Sequence, residues 1–507
     1  MLLVSYRSSI RQNARPAGFP SVALSKVYPP FNCASAGLYG MAKFHVLFSH
    51  LMCRCRCCRY GSAVRRSSDG SELGDCAMVE KHAGMGRLMA DPGRQSIAGN
   101  RSEMYDGPVA IGEIPALVIG SGLGVLGAIR LLGRAGVTAY VFGPADVESK
   151  FRWYRPAPRI DSSVAKPERL AAYLAAAPFE RAVLVPASDA AVRAIAALPD
   201  ALARRFPASV SPAGIAEQLT DKAQFGEMLA RLRAPGPRTR RIDRICDLDA
   251  APDEEFEGSF LKPVDSARFM SCFGVKGSLV SSRADAVEKA TLALSSGHRM
   301  VLQEYIPNTQ WPDGSGARAD HILIDAFVDR NTRVVAMFAR RRLRMFPLDF
   351  GNTSYMVSIP LDDVGEAAGA LGRIATKLGC RGIVSGEFKR DPRDGVYKLL
   401  EINSRVWWFV EYAGRCGVDL CSVSYLDALG ADLEPVSSYR VGATFFHAYY
   451  DFHALKASRR AGDGGVALRA RSWVGAQEPL FNWTDPLPAI HDLSARLRSR
   501  IGLASIK

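Results

Sequence analysis

Apolar and polar residues change their spacing several times along this chain. Up to about residue 103 no period is sustained. From Ile114 the pattern becomes short apolar runs separated by helical stretches. IPALVIG, VTAYVFG and RAVLVPASD are continuous apolar runs suited to strands buried on both faces, and the last has a polar carboxyl end. AIRLLGRAG, ERLAAYLAAAP and AAVRAIAALP carry helical spacing between and after them. Strand–helix alternation of this kind predicts a parallel α/β sheet.

After about residue 220 the style changes. LTDKAQFGEMLARLRAPGP predicts a helix that starts at Thr220 or Asp221 and ends before Pro235–Pro237. GSFLKPV, GSLVSS and RMVLQEYI read as strands. HILIDAFVD and RVVAMFARRRLRM predict two long strands, with Asp329–Arg333 as their turn. The helix GEAAGALGRIATKLG follows, then strands IVSGEFKRD and VYKLLEIN around a turn at Pro392–Gly395. No internal repeat is present. The last stretch holds a surface loop at Gly462–Gly465 and a closing helix, DLSARLRSR. The fold class expected is α/β and α+β, divided at 1–103, 104–219, 220–302, 303–432 and 433–507.

Composition narrows the class. The chain has 507 residues, 48% hydrophobic and 23% charged, the values of an ordinary globular protein of two to four domains. No uncharged apolar run of ~18 residues occurs outside a glycine-rich segment, which excludes an integral membrane protein. The net charge of +14 raises the question of nucleic acid. Residues 1–70, however, hold ten Lys/Arg against one acid, Asp69, so nine of those charges belong to the leader. The body is unremarkable, and neither a nucleic acid nor a membrane is expected as its partner. The basic, Ser- and Arg-rich leader reads as an organellar transit peptide or as a non-native extension, with Met41, Met78, Met85 or Met104 as other starts. Six of the eleven cysteines fall there, including the CRCRCC run, which is either an oxidation-prone stretch or a soft-metal binder without paired CxxC spacing. The other five are scattered singly, as in a reduced, cytoplasmic protein.

Two segments carry candidate chemistry. Gly122-Leu-Gly124-Val-Leu-Gly127 matches G-x-G-x-x-G between a strand and a helix. A dinucleotide site also wants an acid at the end of the second strand, ~20 positions on. Val141-Phe-Gly-Pro144 stands there, and Asp146 comes beyond a breaker. The loop therefore reads as structural, with an NAD(P) oxidoreductase as the weaker alternative. The second segment is GEFKRDPRDGVYKLLEINSRVWW. Period-two alternation puts Glu387 and Lys389 on one face of the first strand, and Leu399, Glu401 and Asn403 on one face of the second. Pairing the two as a hairpin brings Glu387, Glu401 and Asn403 together as hard oxygen ligands suited to Mg²⁺. Arg405 follows, able to face phosphate with a planar fork. The competing reading is a solvated hairpin, opposed by Leu399, Leu400 and Ile402 around the acid. In the run Arg340-Arg341-Arg342-Leu343-Arg344, alternation places Arg340, Arg342 and Arg344 on one face, as a cationic floor or as a solvated one.

The E-x-N-x-R arrangement of Glu401, Asn403 and Arg405 resembles that of the ATP-grasp superfamily, as in biotin carboxylase, carbamoyl phosphate synthase and, without the Arg, D-alanine–D-alanine ligase. Other pieces follow in the family's order: Asp221-Lys222, Leu261-Lys262-Pro263 and Val301-Leu-Gln303-Glu304-Tyr-Ile306-Pro. The resemblance covers roughly 114–430 and is nearest to predicted carboligases that include D-aspartate ligase. It implies two α+β subdomains clamping ATP, a lid at 220–302 and a metal-bearing unit at 303–432, after a Rossmann-like pre-ATP-grasp domain at 104–219. It implies that Lys222 and Lys262 neutralise ATP phosphates, that main-chain groups of Gln303 and Ile306 read adenine, and that Glu387, Glu401 and Asn403 hold Mg²⁺, two ions with Mn²⁺ as a substitute. Arg405 would face the transferred phosphoryl, with Arg342 or Arg344 beside it. Glu304, Asp313 and Asp320 are candidates for the ribose. The loop after Lys262, VDSARFMSCFGVKG, is poorer in glycine than the family's, and its Lys276 is either a phosphate contact or solvated. Trp407 and Trp408 are bulkier than usual and either shape the acceptor pocket or are core. The function implied is an ATP-dependent carboxylate–amine or carboxylate–thiol ligase acting on small molecules, compatible with a homodimer. A non-catalytic nucleotide-binding protein on the same fold is the alternative.

Overall fold

The computed structural model describes residues 105–106, 112–161, 165–310, 317–318, 320–348, 351–460 and 471–500. The leader, its cysteine run and Gly462–Gly465 lie outside these. The described body is built on three main sheets.

The first sheet has three parallel strands: β1 (Ala116–Ile119), β2 (Ala139–Phe142) and β3 (Val183–Pro186), in the order β2-β1-β3. β1 and β3 are wholly buried, as their continuous apolar runs predict. Helix α1 (Leu123–Arg134) follows β1, and α2 (Asp189–Ala196) follows β3 after an N-cap at Ser188. The chain passes from β1 to β2 on one side and then crosses from β2 to β3 on the other. The carboxyl ends of β1 and β3 thus form the place where the strand order reverses, the position at which open α/β sheets present residues to a ligand.

Next comes α3 (Lys222–Leu232), capped by the Asp221 carboxylate, which accepts from the amides of Ala223 and Gln224. It leads into a four-stranded antiparallel sheet of β4 (Thr239–Ile242), β5 (Ser259–Pro263), β6 (Ser278–Val280) and β7 (Met300–Glu304), ordered β4-β7-β5-β6. Between β5 and β6 the segment expected to be a loop is in part a helix, Ser266–Phe273. Phe269 and Phe273, one turn apart, stack on each other at 4.5 Å and both meet His298.

The third sheet has six antiparallel strands: β8 (His321–Val328), β9 (Val334–Phe346), β10 (Asn352–Ile359), β11 (Gly382–Arg390), β12 (Tyr397–Asn403) and β13 (Thr444–Phe446). Their order is β12-β11-β8-β9-β10-β13. One face packs on α3 and on α4 (Gly365–Leu378) through Ile322, Ile324, Leu371, Phe388, Leu399 and Ile402. The other face carries polar side chains at one end, and apolar ones at the other, where Phe327, Phe338 and Ile383 join the core of α1 and of α5 (Val410–Arg415). Beyond residue 432, β13 pairs with β10, and α6 (Ala448–Arg460) packs beside β9 and β10.

Candidate active site

The β11–β12 pair sets the site. Its register places Glu387 opposite Glu401 and Ser385 opposite Asn403, so the two carboxylates and the amide meet on one face, as alternation predicts. One expectation fails. A bulge at Leu400 turns Leu399 over, so that it pairs with Phe388 and faces the apolar side instead of joining Glu401. The extra residue lets Leu399 and Ile402 both reach the core while Glu401 and Asn403 both face the site.

β8 and β9 supply the next row. His321, Asp325, Arg340 and Arg342 share the face of Glu387. Arg342 Nη1 lies 3.0 Å from Glu387 Oε1, and its Nε donates to Thr353 Oγ1 at 2.7 Å. His321 Nδ1 is 3.1 Å from the same carboxylate oxygen. Burial alone would raise the Glu387 carboxyl, but Arg342 and His321 outweigh it and hold it well below the usual carboxylate range. Burial and the Arg342 charge push His321 down to about 4. Under this row Arg340 grips the buried Asp325 with two bonds, at 2.7 and 3.0 Å, and Ser385 Oγ donates to the same carboxylate at 2.6 Å. Arg340 also faces the rings of Trp407 and Phe409 at 5.7 and 5.4 Å.

Arg344 does not belong to this row. A register shift around Leu343 redirects it, and its guanidinium is taken by Asp451 of α6 at 2.7 and 2.9 Å and by Ser472, over the Tyr355 ring. Asp451 is fully buried and also accepts from Ser354 and Trp473. The expectation of Arg344 as a phosphate-facing residue is therefore corrected to a structural one. Arg342 remains.

The lysines stand on α3, on β5 and just before β6. Lys262 Nζ donates to Gln303 Oε1 at 2.6 Å, and Gln303 Nε2 to Thr239 Oγ1 at 3.0 Å. Burial lowers the Lys262 ammonium, against the attraction of Glu401 and Glu387 and with the repulsion of Lys222. Lys222, the first residue of α3, reaches the carbonyl of Val264 just past β5 at 3.2 Å. Lys276 is exposed and donates to Asn352 Oδ1 at the start of β10, at 2.9 Å. The adenine-reading expectation changes for Gln303. β7 is central in its sheet and Gln303 pairs with Phe260 and Thr239, so its backbone is inside the ladder and its side chain holds Lys262 instead. The Ile306 carbonyl accepts from Lys389 Nζ at 2.6 Å. Of the ribose candidates, Glu304 is engaged by Arg393 and by the Arg238 amide, and buried Asp320 by Arg341 and Tyr397. Asp313 lies outside the described residues.

Arg405 completes the cluster. Its Nη2 donates to Asn403 Oδ1 at 3.1 Å, and Asn403 Nδ2 to Glu401 Oε1 at 3.1 Å. Its Nε donates at 2.6 Å to Asp189, the first residue of α2. Asp189 was not foreseen, nor was His321. The polar end of RAVLVPASD and the polar His321 and Asp325 within an apolar strand were the signals available. Trp407 is buried beneath Arg340, as core, whereas Trp408 keeps 37% of its surface exposed and stacks on Tyr450 at 5.9 Å.

The glycine loop is filled by the chain itself. A Cβ on Gly127 would lie 2.9 Å from Val410 Cγ1, and one on Gly124 3.5 Å from the main chain of Trp407. At the N-terminus of α1 the Gly122 amide, at φ 81°, donates to Glu148 Oε2 at 2.9 Å. A side-chain carboxylate thus occupies the place where a dinucleotide would put its pyrophosphate.

Two opposed glutamates, an amide oxygen and surrounding cations are a donor set that fits Mg²⁺ and phosphate. Among the described residues no group of three or more His, Cys, Asp and Glu is placed to hold a metal ion, the site having two glutamates and an asparagine, and no helix is long and apolar enough to cross a membrane. No protein-family profile matches the chain. The D-aspartate ligase of Enterococcus faecium (strain Aus0004) is 27% identical over 198 residues, which are 37% of this chain and 45% of that enzyme. The chain thus spans less than half the length of the curated relative it matches. Among solved structures, an ADP complex of N5-carboxyaminoimidazole ribonucleotide synthetase superposes with a TM-score of 0.50 at 13% identity, over 67% of this chain and 82% of that one. The L-amino acid ligase of Bacillus licheniformis gives 0.45 at 13% identity, over 64% and 76%. The first of these structures shows the fold.

Proposed function

We propose that this chain, which has the ATP-grasp fold, is an ATP- and Mg²⁺-dependent ligase that activates a carboxylate as an acyl phosphate for attack by an amine or a thiol. The observation that carries the reading is the register pair Glu387–Glu401, with Asn403, Arg342 and Arg405 on the same face and Lys262 reaching it from the lid. A pseudoenzyme that only bound nucleotide would not need the full set, and the D-aspartate ligase likeness supports small carboxylate and amine substrates.

In this reading Glu387, Glu401 and Asn403 would hold Mg²⁺, which would supply charge neutralisation for the ATP phosphates. Lys222 and Lys262 neutralise phosphate oxygens, Lys276 covers them from the lid, and the chain from Glu304 to Ile306 borders adenine. Arg405 faces the phosphoryl as it passes to the substrate carboxylate, and Arg342 stabilises the charge that develops there. The chain contributes position and charge, and no covalent intermediate with the protein is required. The parallel layer from Ala116 to Pro186 serves as the pre-ATP-grasp domain, and the protein works in the cytoplasm.

The test is Mg²⁺-dependent ADP release as pairs of small carboxylates and amines are added. A pair that raises ADP formation well above the ATP-only rate supports the ligase. Tight ATP–Mg²⁺ binding with no pair active across a broad screen would favour the non-catalytic alternative. Saturable NAD(P)H binding without ATP binding would overturn both.

A further inference from the structure

We infer that Asp189 is a positioning residue for Arg405: it turns the guanidinium so that its Nη groups, and not its Nε side, are presented to the phosphoryl being transferred. The inference rests on the role of Arg405 proposed above.

The contact joins residues 216 positions apart, between the parallel layer and the metal-bearing sheet. Asp189 Oδ1 takes the Nε proton at 2.6 Å, while Nη2 goes to Asn403 Oδ1 at 3.1 Å and Nη1 to the Val406 carbonyl at 3.4 Å. The backbones are tied beside this contact, since the Val406 amide donates to the Pro186 carbonyl at 3.0 Å. Asp189 itself is fixed at the first turn of α2, where Ser188 Oγ accepts from the Ala191 amide at 3.1 Å. Neither partner can drift far from the other.

Charge explains why an acid is needed here. Arg405 lies one hydrogen bond from Asn403, which lies one hydrogen bond from Glu401. A flexible guanidinium next to two carboxylates would pair with them and compete with the cation they are built to hold. Asp189 offers a carboxylate at the Nε side and draws Arg405 off the two glutamates, while Nη2 keeps its bond to Asn403 Oδ1. The pair is partly exposed, 23% for Arg405 and 45% for Asp189, so its value for stability is small and its effect is directional.

The experiment titrates full-length protein with Mg²⁺–ADP and with the Mg²⁺ complex of the non-hydrolysable β,γ-imido analogue of ATP, because only the analogue carries the group that Arg405 faces. Asp189→Asn should weaken the analogue roughly 10-fold, the worth of one charge-assisted bond, and leave ADP unchanged. Asp189→Glu should restore most of that loss. On an Arg405→Ala background Asp189→Asn should add nothing, since there is no guanidinium left to hold. Wild-type affinity of Asp189→Asn for the analogue, or the same loss on the Arg405→Ala background, would overturn the inference and leave the nucleotide reading intact. Equal losses for both nucleotides, or an unfolded Asp189→Asn, would show a structural role and also overturn it. Failure of the wild type to bind either nucleotide would remove the ligase reading, and this inference with it.

Discussion

Replacing Glu148 by Gln should change how stability depends on pH. Glu148 is fully buried. Its two oxygens accept from the amides of Gly122 at 2.9 Å and Asp146 at 3.1 Å. Burial outweighs these amides, and the carboxyl rises from 4.5 to about 7, with the Asp146 charge acting in the same direction. A raised pKa in the folded state means that the folded chain keeps a proton which the unfolded chain releases. The stability this group contributes is complete below its unfolded value of 4.5 and is lost as pH rises through about 7. The full gap is worth about 3 kcal/mol, and between about pH 5 and about pH 8 the loss should be roughly 2.5 kcal/mol. Glutamine has no proton to lose. It also turns an N–H toward one of the two amides, at about 1 kcal/mol at any pH. The variant should therefore be slightly weaker than wild type near pH 5 and stronger near pH 8. Glu478, raised to about 7 by burial, is present in both proteins and cancels. Glu411 acts elsewhere: burial would raise it, but Arg415, Arg130 and Arg134 hold it at about 2. Its contribution is present above 4.5 and fades only as pH falls toward 2. Urea unfolding followed by tryptophan fluorescence across this range is the assay. Parallel stability curves for the two proteins would refute the reasoning.

Two further outcomes concern the site. Glu401→Gln keeps the shape of the ligand and removes one charge, so turnover should fall roughly 10²–10⁴-fold with thermal unfolding little changed. Mg²⁺-dependent ADP formation with an active substrate pair checks it, and unchanged turnover would remove the metal assignment. Arg342→Ala and Arg344→Ala should separate cleanly. Arg344→Ala leaves Asp451 buried with Ser354 and Trp473 as its side-chain donors among the described residues, and should cost about 3 kcal/mol in urea unfolding while sparing nucleotide affinity. Arg342→Ala should do the reverse, lowering turnover more than stability.

Much of the site was legible because its chemistry lies on one hairpin. Glu387, Glu401 and Asn403 are close in sequence, and period two alone puts them on facing positions. The two bulges were not legible. At Leu400 and around Leu343 the chain changes face without any change in composition, since Leu399–Leu400 reads equally well as an alternating strand. Arg344 was misplaced for that reason, and because Asp451, its partner, stands 107 residues away. Gln303 shows a different limit. A backbone is available to adenine only outside the ladder, and the order of the four-stranded sheet, which puts β7 inside it, is not written in any local pattern. The helix Ser266–Phe273 is legible only as aromatic residues at i and i+4, Phe269 and Phe273.

The residues of the glycine loop satisfy the G-x-G-x-x-G spacing, yet the surfaces it offers are taken by the protein itself. Glu148 supplies a carboxyl oxygen as acceptor at the α1 N-terminus. The space a close-approaching ligand would use is taken by the main chain of Val406–Trp407 and by Val410. These are the residues that directly follow Arg405. The parallel layer therefore fixes the Arg405 segment twice, through the glycines from β1 and through Pro186 and Asp189 from β3, the two strands at which the order reverses. A loop shape suited to cradling phosphate is used to seat the backbone behind the arginine proposed to face one.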